Sequence, residues 1–134
     1  MKLKLPICCA LLTLSCAALA SERTAPATKV APLLTKSLAG IDGQEATMIT
    51  VELAPGADSP PHRHNANTFV YVLEGSVVMQ VRGGEEQTLI AGQTFYESPT
   101  DVHTVSRNPS KTESAKLLVL MVKPIGAPIT VPAK

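Results

Sequence analysis

The sequence predicts an all-β domain folded as a sandwich or barrel, on three observations. Short runs of strand-forming residues recur through the second two thirds of the chain. Almost every run is closed by a Gly or Pro turn signal. No long stretch after the first twenty residues keeps a helical apolar period without a breaker.

Taken in order, the elements justify that reading. Residues 46–53 alternate well enough for a half-buried strand, and Pro55-Gly56 ends it. Residues 69–73 are a run of β-formers closed by Glu74-Gly75. Residues 77–81 follow, closed by Gly83-Gly84. Residues 88–90 lead into Ala91-Gly92, and 94–96 into Ser98-Pro99. Residues 102–106 end at Asn108-Pro109. Residues 116–122 form the last strong strand, stopped by Pro124. By composition 117–122 would also suit a helix, but its neighbours favour a buried strand. Seven short strands with frequent Gly and Pro turns are the pattern of a sandwich or barrel. With two Phe, two Tyr and no Trp, its core must be mainly aliphatic.

The first twenty residues read differently. Lys2 and Lys4 precede an apolar stretch, and Ala18-Leu19-Ala20 offers small residues where a signal peptidase cuts. The apolar stretch is short for a membrane span, which needs roughly 20 apolar residues. A cleaved secretory signal over 1–20 is expected, with Ser21 as the first mature residue. Lipidation at Cys16 is the weaker alternative, because Thr13 stands where lipid-attachment sites carry Leu. Cys8, Cys9 and Cys16 are the only cysteines and all lie in this segment. The mature chain therefore has no disulfide and no thiolate ligand. Residues 21–35, rich in Ser, Thr, Ala and Pro, read as a mobile leader. The domain proper is expected over 36–134, and export places it in the periplasm or outside the cell. Losing Lys2 and Lys4 from 12 basic residues leaves 10 against 11 acidic ones. That balance excludes a nucleic-acid or anionic membrane surface as the expected partner. A small-molecule ligand or substrate is expected instead, with a homodimer left open.

The mature chain has three histidines, His62, His64 and His103. On an extended segment, side chains at i and i+2 share a face, so His62 and His64 can approach one ion. Pro60-Pro61 stiffens the chain before them. A third ligand must come from elsewhere, and His103 begins a later strand. Neutral imidazole suits Zn, Fe, Cu and Ni. The plain alternative is three unrelated histidines on the surface or in the core.

The segment Gly56, five residues, His62-Arg63-His64, three residues, Thr68, six residues, Gly75 resembles the first motif of the cupin superfamily. The related motif carries glutamate where Thr68 stands. The stretch from Gly92 through Pro99 to His103 and Asn108 resembles the second motif, with the proline and asparagine each one position late. The resemblance implies a single jelly-roll, cupin-like β-barrel enclosing one metal. His62, His64 and His103 fall on its histidine-ligand positions. Thr68 shares their strand parity and should face the same interior, but a neutral hydroxyl is a poor ligand. Three histidines with open positions suit a catalytic metal. Without the carboxylate, the site should favour Fe, Zn, Ni or Cu and hold Mn more weakly. The opposing reading is a metal-free barrel that has lost its site.

Other residues carry weaker signals. Tyr96 and Glu97 stand near His103, and alternation lets at most one of them point inward. Glu97 could orient a histidine, although a solvated turn carboxylate is the preferred reading. Arg63 and Arg107 could receive an anion, but a solvated face is the safer expectation. Gln80 is either outward or a polar group of the cavity. No catalytic residue is assigned. The resemblance implies either a dioxygenase-like enzyme acting on a small molecule, with a hydrolytic Zn centre as a variant, or a barrel that binds a ligand or senses a metal without turnover. The sequence leaves both open, because this fold hosts many chemistries.

Overall fold

A computed structural model describes residues 28–133. The signal expected over 1–20 and residues 21–27 of the leader lie outside the described residues. Ten strands follow one another: β1 (Thr28–Ser37), β2 (Gln44–Leu53), β3 (His62–Arg63), β4 (Asn67–Glu74), β5 (Ser76–Val81), β6 (Gln87–Ile90), β7 (Thr94–Glu97), β8 (His103–Arg107), β9 (Ala115–Pro124) and β10 (Val131–Pro132). They form two five-stranded antiparallel sheets, ordered β1-β2-β9-β4-β7 and β10-β3-β8-β5-β6. All seven strands expected from the sequence are present. This is the all-β jelly-roll architecture the sequence predicts.

The first sheet is built from long, strictly alternating strands. In β9, Ala115, Leu117, Val119, Met121 and Lys123 are buried while the residues between them are half-buried. In β4, Thr68, Val70 and Val72 point inward and Phe69 and Tyr71 outward. Leu53, Val72, Val77 and Met121 are at most 1% exposed and join the two sheets into one core. Phe95 is the one aromatic among the buried hydrophobics; Phe69, Tyr71 and Tyr96 lie on the outer face. Each fully buried Leu or Val contributes roughly 1.5–3 kcal/mol.

Residues 28–35 correct the sequence expectation of a mobile leader. They belong to β1, which pairs with β2 from Thr28↔Leu53 to Ser37↔Glu45. The strand escapes sequence reading because it is an edge. Val30, Leu33 and Leu34 are exposed, so no apolar alternation marks it. Pro32 lies at the bulge between Pro32 and Leu34, a place where a missing N–H is tolerated. Backbone pairing with β2, rather than burial of its own side chains, orders this segment.

Two motif residues have structural work. Gly75, in the turn from β4 to β5, has φ +71°, and a Cβ there would meet the Ser114 carbonyl oxygen at 2.6 Å. Only glycine fits that approach. Asn108 is 3% exposed. Its amide donates to the carbonyls of Leu53, Ala54 and Glu113, and its Oδ1 accepts from the Ser110 N–H. It ties the loop between β8 and β9 to the end of β2.

Candidate metal centre

The centre is assembled in the shorter-stranded sheet. His62 on β3 is the direct cross-strand partner of His103 on β8, so pairing alone brings two imidazoles together. Their ring centroids are 5.1 Å apart. His64 follows β3, and its ring stands edge-on to that of His62 at 5.0 Å. The chain then turns through Asn65, at φ 49°, to enter β4 in the opposite sheet. One ligand atom from each of the three histidines lies within 4.8 Å of the others.

Backbone carbonyls set two of the three tautomers. His62 Nδ1–H donates to the Pro60 carbonyl at 2.9 Å, and His64 Nδ1–H donates to the Ile129 carbonyl. A carbonyl only accepts, so the Nδ1 atoms hold the protons and each Nε2 keeps its lone pair. Such a bond on the far nitrogen is the usual device for orienting a ligating histidine. Ile129 belongs to the segment after β9, 65 residues away in sequence.

His103 is 3% exposed and stacks on Phe95 at 5.9 Å. Neither ring nitrogen finds a hydrogen-bond partner among the described residues, and neither does the fully buried Thr68 hydroxyl. Buried polar atoms are rarely left so. Burial, with His62 and His64 nearby, pushes the His103 imidazole down to about 3. Burial also lowers His64. Both rings are therefore neutral at physiological pH, the form that binds metals. Three imidazoles, one of them buried without a partner, are a donor set that fits a divalent transition metal.

Thr68 faces the interior as expected, but strand parity with His62 is not the cause. The two lie in different sheets, with the Asn65 turn between them. Thr68 and Glu97 are register partners across β4 and β7. Glu97 corrects the preferred sequence reading of a solvated turn carboxylate: it is 2% exposed. Its Oε2 lies 3.3 Å from His103 Nδ1, outside hydrogen-bonding geometry, and 3.9 Å from His64 Nε2. Burial, then Asp101, pushes its carboxyl up to about 7. The parity of β7 held the signal, because Glu97 shares a face with Phe95. The adjacent Phe95-Tyr96 pair left the choice of face to tertiary packing.

The other candidates lie away from the centre. Tyr96 points outward and its hydroxyl donates to Asn67 Oδ1 at 2.8 Å. Arg107 pairs with Glu86 at 2.7 Å on the surface, and Arg63 is exposed. Gln80 donates to the Gly84 carbonyl near the surface. The histidines, Thr68 and Glu97 open instead into a cavity of about 590 Å³ between the sheets. Its wall is mainly apolar, with Val51, Val70, Met79, Leu117 and Val119 among its residues.

A family model described as a cupin domain matches residues 49–121, more than half of the chain. Solved structures share the fold. DMSP lyase DddQ from Ruegeria pomeroyi DSS-3 is 19% identical with a TM-score of 0.59, covering 66% of this chain and 43% of the lyase. A recombinant oxalate oxidase in complex with glycolate is 23% identical with a TM-score of 0.61, covering 81% of this chain and 57% of the oxidase. The cupin domain of an XRE-family transcriptional regulator from Enterobacter cloacae is 26% identical with a TM-score of 0.54, covering 72% of this chain and 96% of that one. The chain thus spans less than two thirds of the lyase and of the oxidase. A search of curated proteins finds no match. The chain belongs to the cupin domain family.

Proposed function

We propose that this chain is an exported cupin that holds one divalent transition metal through His62, His64 and His103 and presents it to a small, largely apolar molecule. One observation carries the reading: three imidazoles converge within 4.8 Å, two pinned through Nδ1 by backbone carbonyls and the third buried without a partner. When bound, such an ion supplies a Lewis-acid centre. The chain's own residues do the rest. His62 and His64 are held through Nδ1 by backbone carbonyls, and the cavity, lined mainly by apolar side chains, admits a ligand of modest size. Placement outside the cytoplasm rests on the composition of residues 1–20.

Similar folds include an oxidase, a lyase and a domain of a transcriptional regulator, so the fold does not choose between turnover and binding. A second reading is capture of a ligand without turnover, since one similar fold is a domain of a transcriptional regulator, matched over 96% of its length. The test is to load the purified protein with Fe(II) and add nitric oxide, a probe for open coordination positions. A nitrosyl EPR signal that His103→Ala abolishes supports an open metal centre. Its absence in protein that holds one Fe per chain would show a closed site and remove the enzyme reading. Oxygen uptake with small apolar molecules then separates turnover from capture.

A further inference from the structure

The sequence predicts that this site lacks an anionic ligand, because Thr68 occupies the position where the related motif carries glutamate. The structure brings a carboxylate close to the histidines from another strand. Thr68 and Glu97 are direct partners across the β4–β7 ladder, both buried and both facing the cavity. Cross-strand partners have Cβ atoms about 4.5–5.5 Å apart, a gap that a glutamate side chain can cross. The Glu97 carboxylate ends near two of the histidines. Its Oε2 lies 3.9 Å from His64 Nε2, the nitrogen left free by the bond to Ile129, and 3.3 Å from His103 Nδ1. It therefore stands beside His64 Nε2 and beside one ring nitrogen of His103. Thr68 is short, and its buried hydroxyl has no hydrogen-bond partner.

We propose that Glu97 is the fourth, anionic ligand of the centre, supplied across the β4–β7 ladder in place of a carboxylate at position 68. This inference rests on the three-histidine reading above and deepens it. Charge favours it. Three neutral imidazoles leave the full double charge of the ion in a poorly solvated cavity, which is costly, and one carboxylate offsets half of it. It also changes the expected metal preference. A carboxylate oxygen suits hard ions, so Mn(II) should be held better than three histidines alone would hold it. A carboxylate that only oriented His103 would lack this signature, because it would help every metal through the same imidazole.

The test is competition titration of Mn(II) and Zn(II) against a chelator, with Mn(II) EPR as a structural readout. It compares wild type, Glu97→Gln, Glu97→Ala, and the exchange variant carrying both Glu97→Ala and Thr68→Glu. Thermal melting of the metal-free forms checks the fold. We expect Glu97→Gln to lose Mn(II) affinity by about 100-fold or more and Zn(II) affinity by less, with roughly 10- to 100-fold the range for losing a group that only orients a ligand. The exchange variant should recover Mn(II) affinity to within about tenfold of wild type, because the carboxylate returns from the opposite strand. Equal losses of Mn(II) and Zn(II), unchanged affinity in Glu97→Gln, or no recovery in a folded exchange variant would each overturn the assignment while leaving the three histidines in place. A wild type that binds neither ion would overturn both.

Discussion

The two sheets of this molecule are ordered by different means. In the first, β2 pairs with β9 without interruption from Gln44↔Pro124 to Leu53↔Ala115. In the second, β3 meets β8 at a single pair, His62↔His103, and meets β10 at two. The first sheet is held by its own ladder and core. The site-bearing part of the second is held by side-chain bonds to backbone and by its neighbours. One such support runs through the C-terminal segment. Lys123, on β9, pairs with its cross-strand partner Glu45 and donates to the Ala127 carbonyl at 2.7 Å. The Gly126 N–H donates to the same carboxylate at 3.2 Å. This fastens the turn just before Ile129, whose carbonyl orients His64. The difference teaches that long ladders and a core shared by both sheets supply stability, while short pairings and side-chain bonds place the histidines, and that the two can be broken separately.

The largest expected effect lies in the first sheet. Leu53 is 1% exposed and belongs to the core, so Leu53→Ala should cost about 2–5 kcal/mol. Urea denaturation would show it as a lower midpoint with an unchanged slope. A cost below about 1 kcal/mol would mean that this sheet does not carry the stability.

Asn108 joins the two regions. Removing its amide strands several buried carbonyls, so Asn108→Ala should cost about 1–3 kcal/mol. Metal affinity should change little, because the loop it ties lies away from the histidines. An affinity loss as large as that of a histidine variant would break the separation of roles.

A subtler effect follows from pH. His103 is depressed from its ordinary 6.5 to about 3, so the folded state resists a proton that the unfolded chain accepts. Its contribution to stability is complete above about 6.5 and lost as pH falls toward 3. His64 acts in the same sense. Glu97 is raised from 4.5 to about 7, so its contribution is complete below about 4.5 and lost as pH rises to 7. Between 4.5 and 6.5 the slopes oppose, and the metal-free protein should show a shallow profile. Below 4.5 stability should fall, with the low-pKa Glu45 carboxyl beside Lys123 adding to the loss. Glu97→Gln removes one slope, so stability should climb with pH through that window. Denaturation of metal-free protein at pH 4 to 8 checks this, and parallel profiles for the two proteins would contradict it.

The same comparison governs what could be read from the sequence. Long strands announce themselves: the alternation of β9 and β4 is visible in the residues, and both form as expected. Short strands do not. β3 and β10 have two residues each and exist only through pairing with each other and with β8. The three histidines were legible because spacing and residue type point to them. Glu97 was not, because its face depends on which of Phe95 and Tyr96 packs inward. The bonds to the Pro60 and Ile129 carbonyls involve backbone atoms, which carry no residue signature.

The smallest stability effect is expected where the binding effect is greatest. The metal-free forms of His62→Ala and His64→Ala should melt close to wild type, since neither side chain belongs to the core. Calorimetry of the metal-free proteins measures it, and a large drop in either would make that histidine part of the fold.

The central claim, that His62, His64 and His103 together hold one ion, is tested most directly by metal analysis. Wild type and the three single alanine variants would be loaded with Zn(II), desalted, and measured for metal per chain. The account predicts close to one ion in wild type and near-total, similar losses in all three variants. One histidine variant that retains its full metal content, or a wild type that holds none, would contradict it.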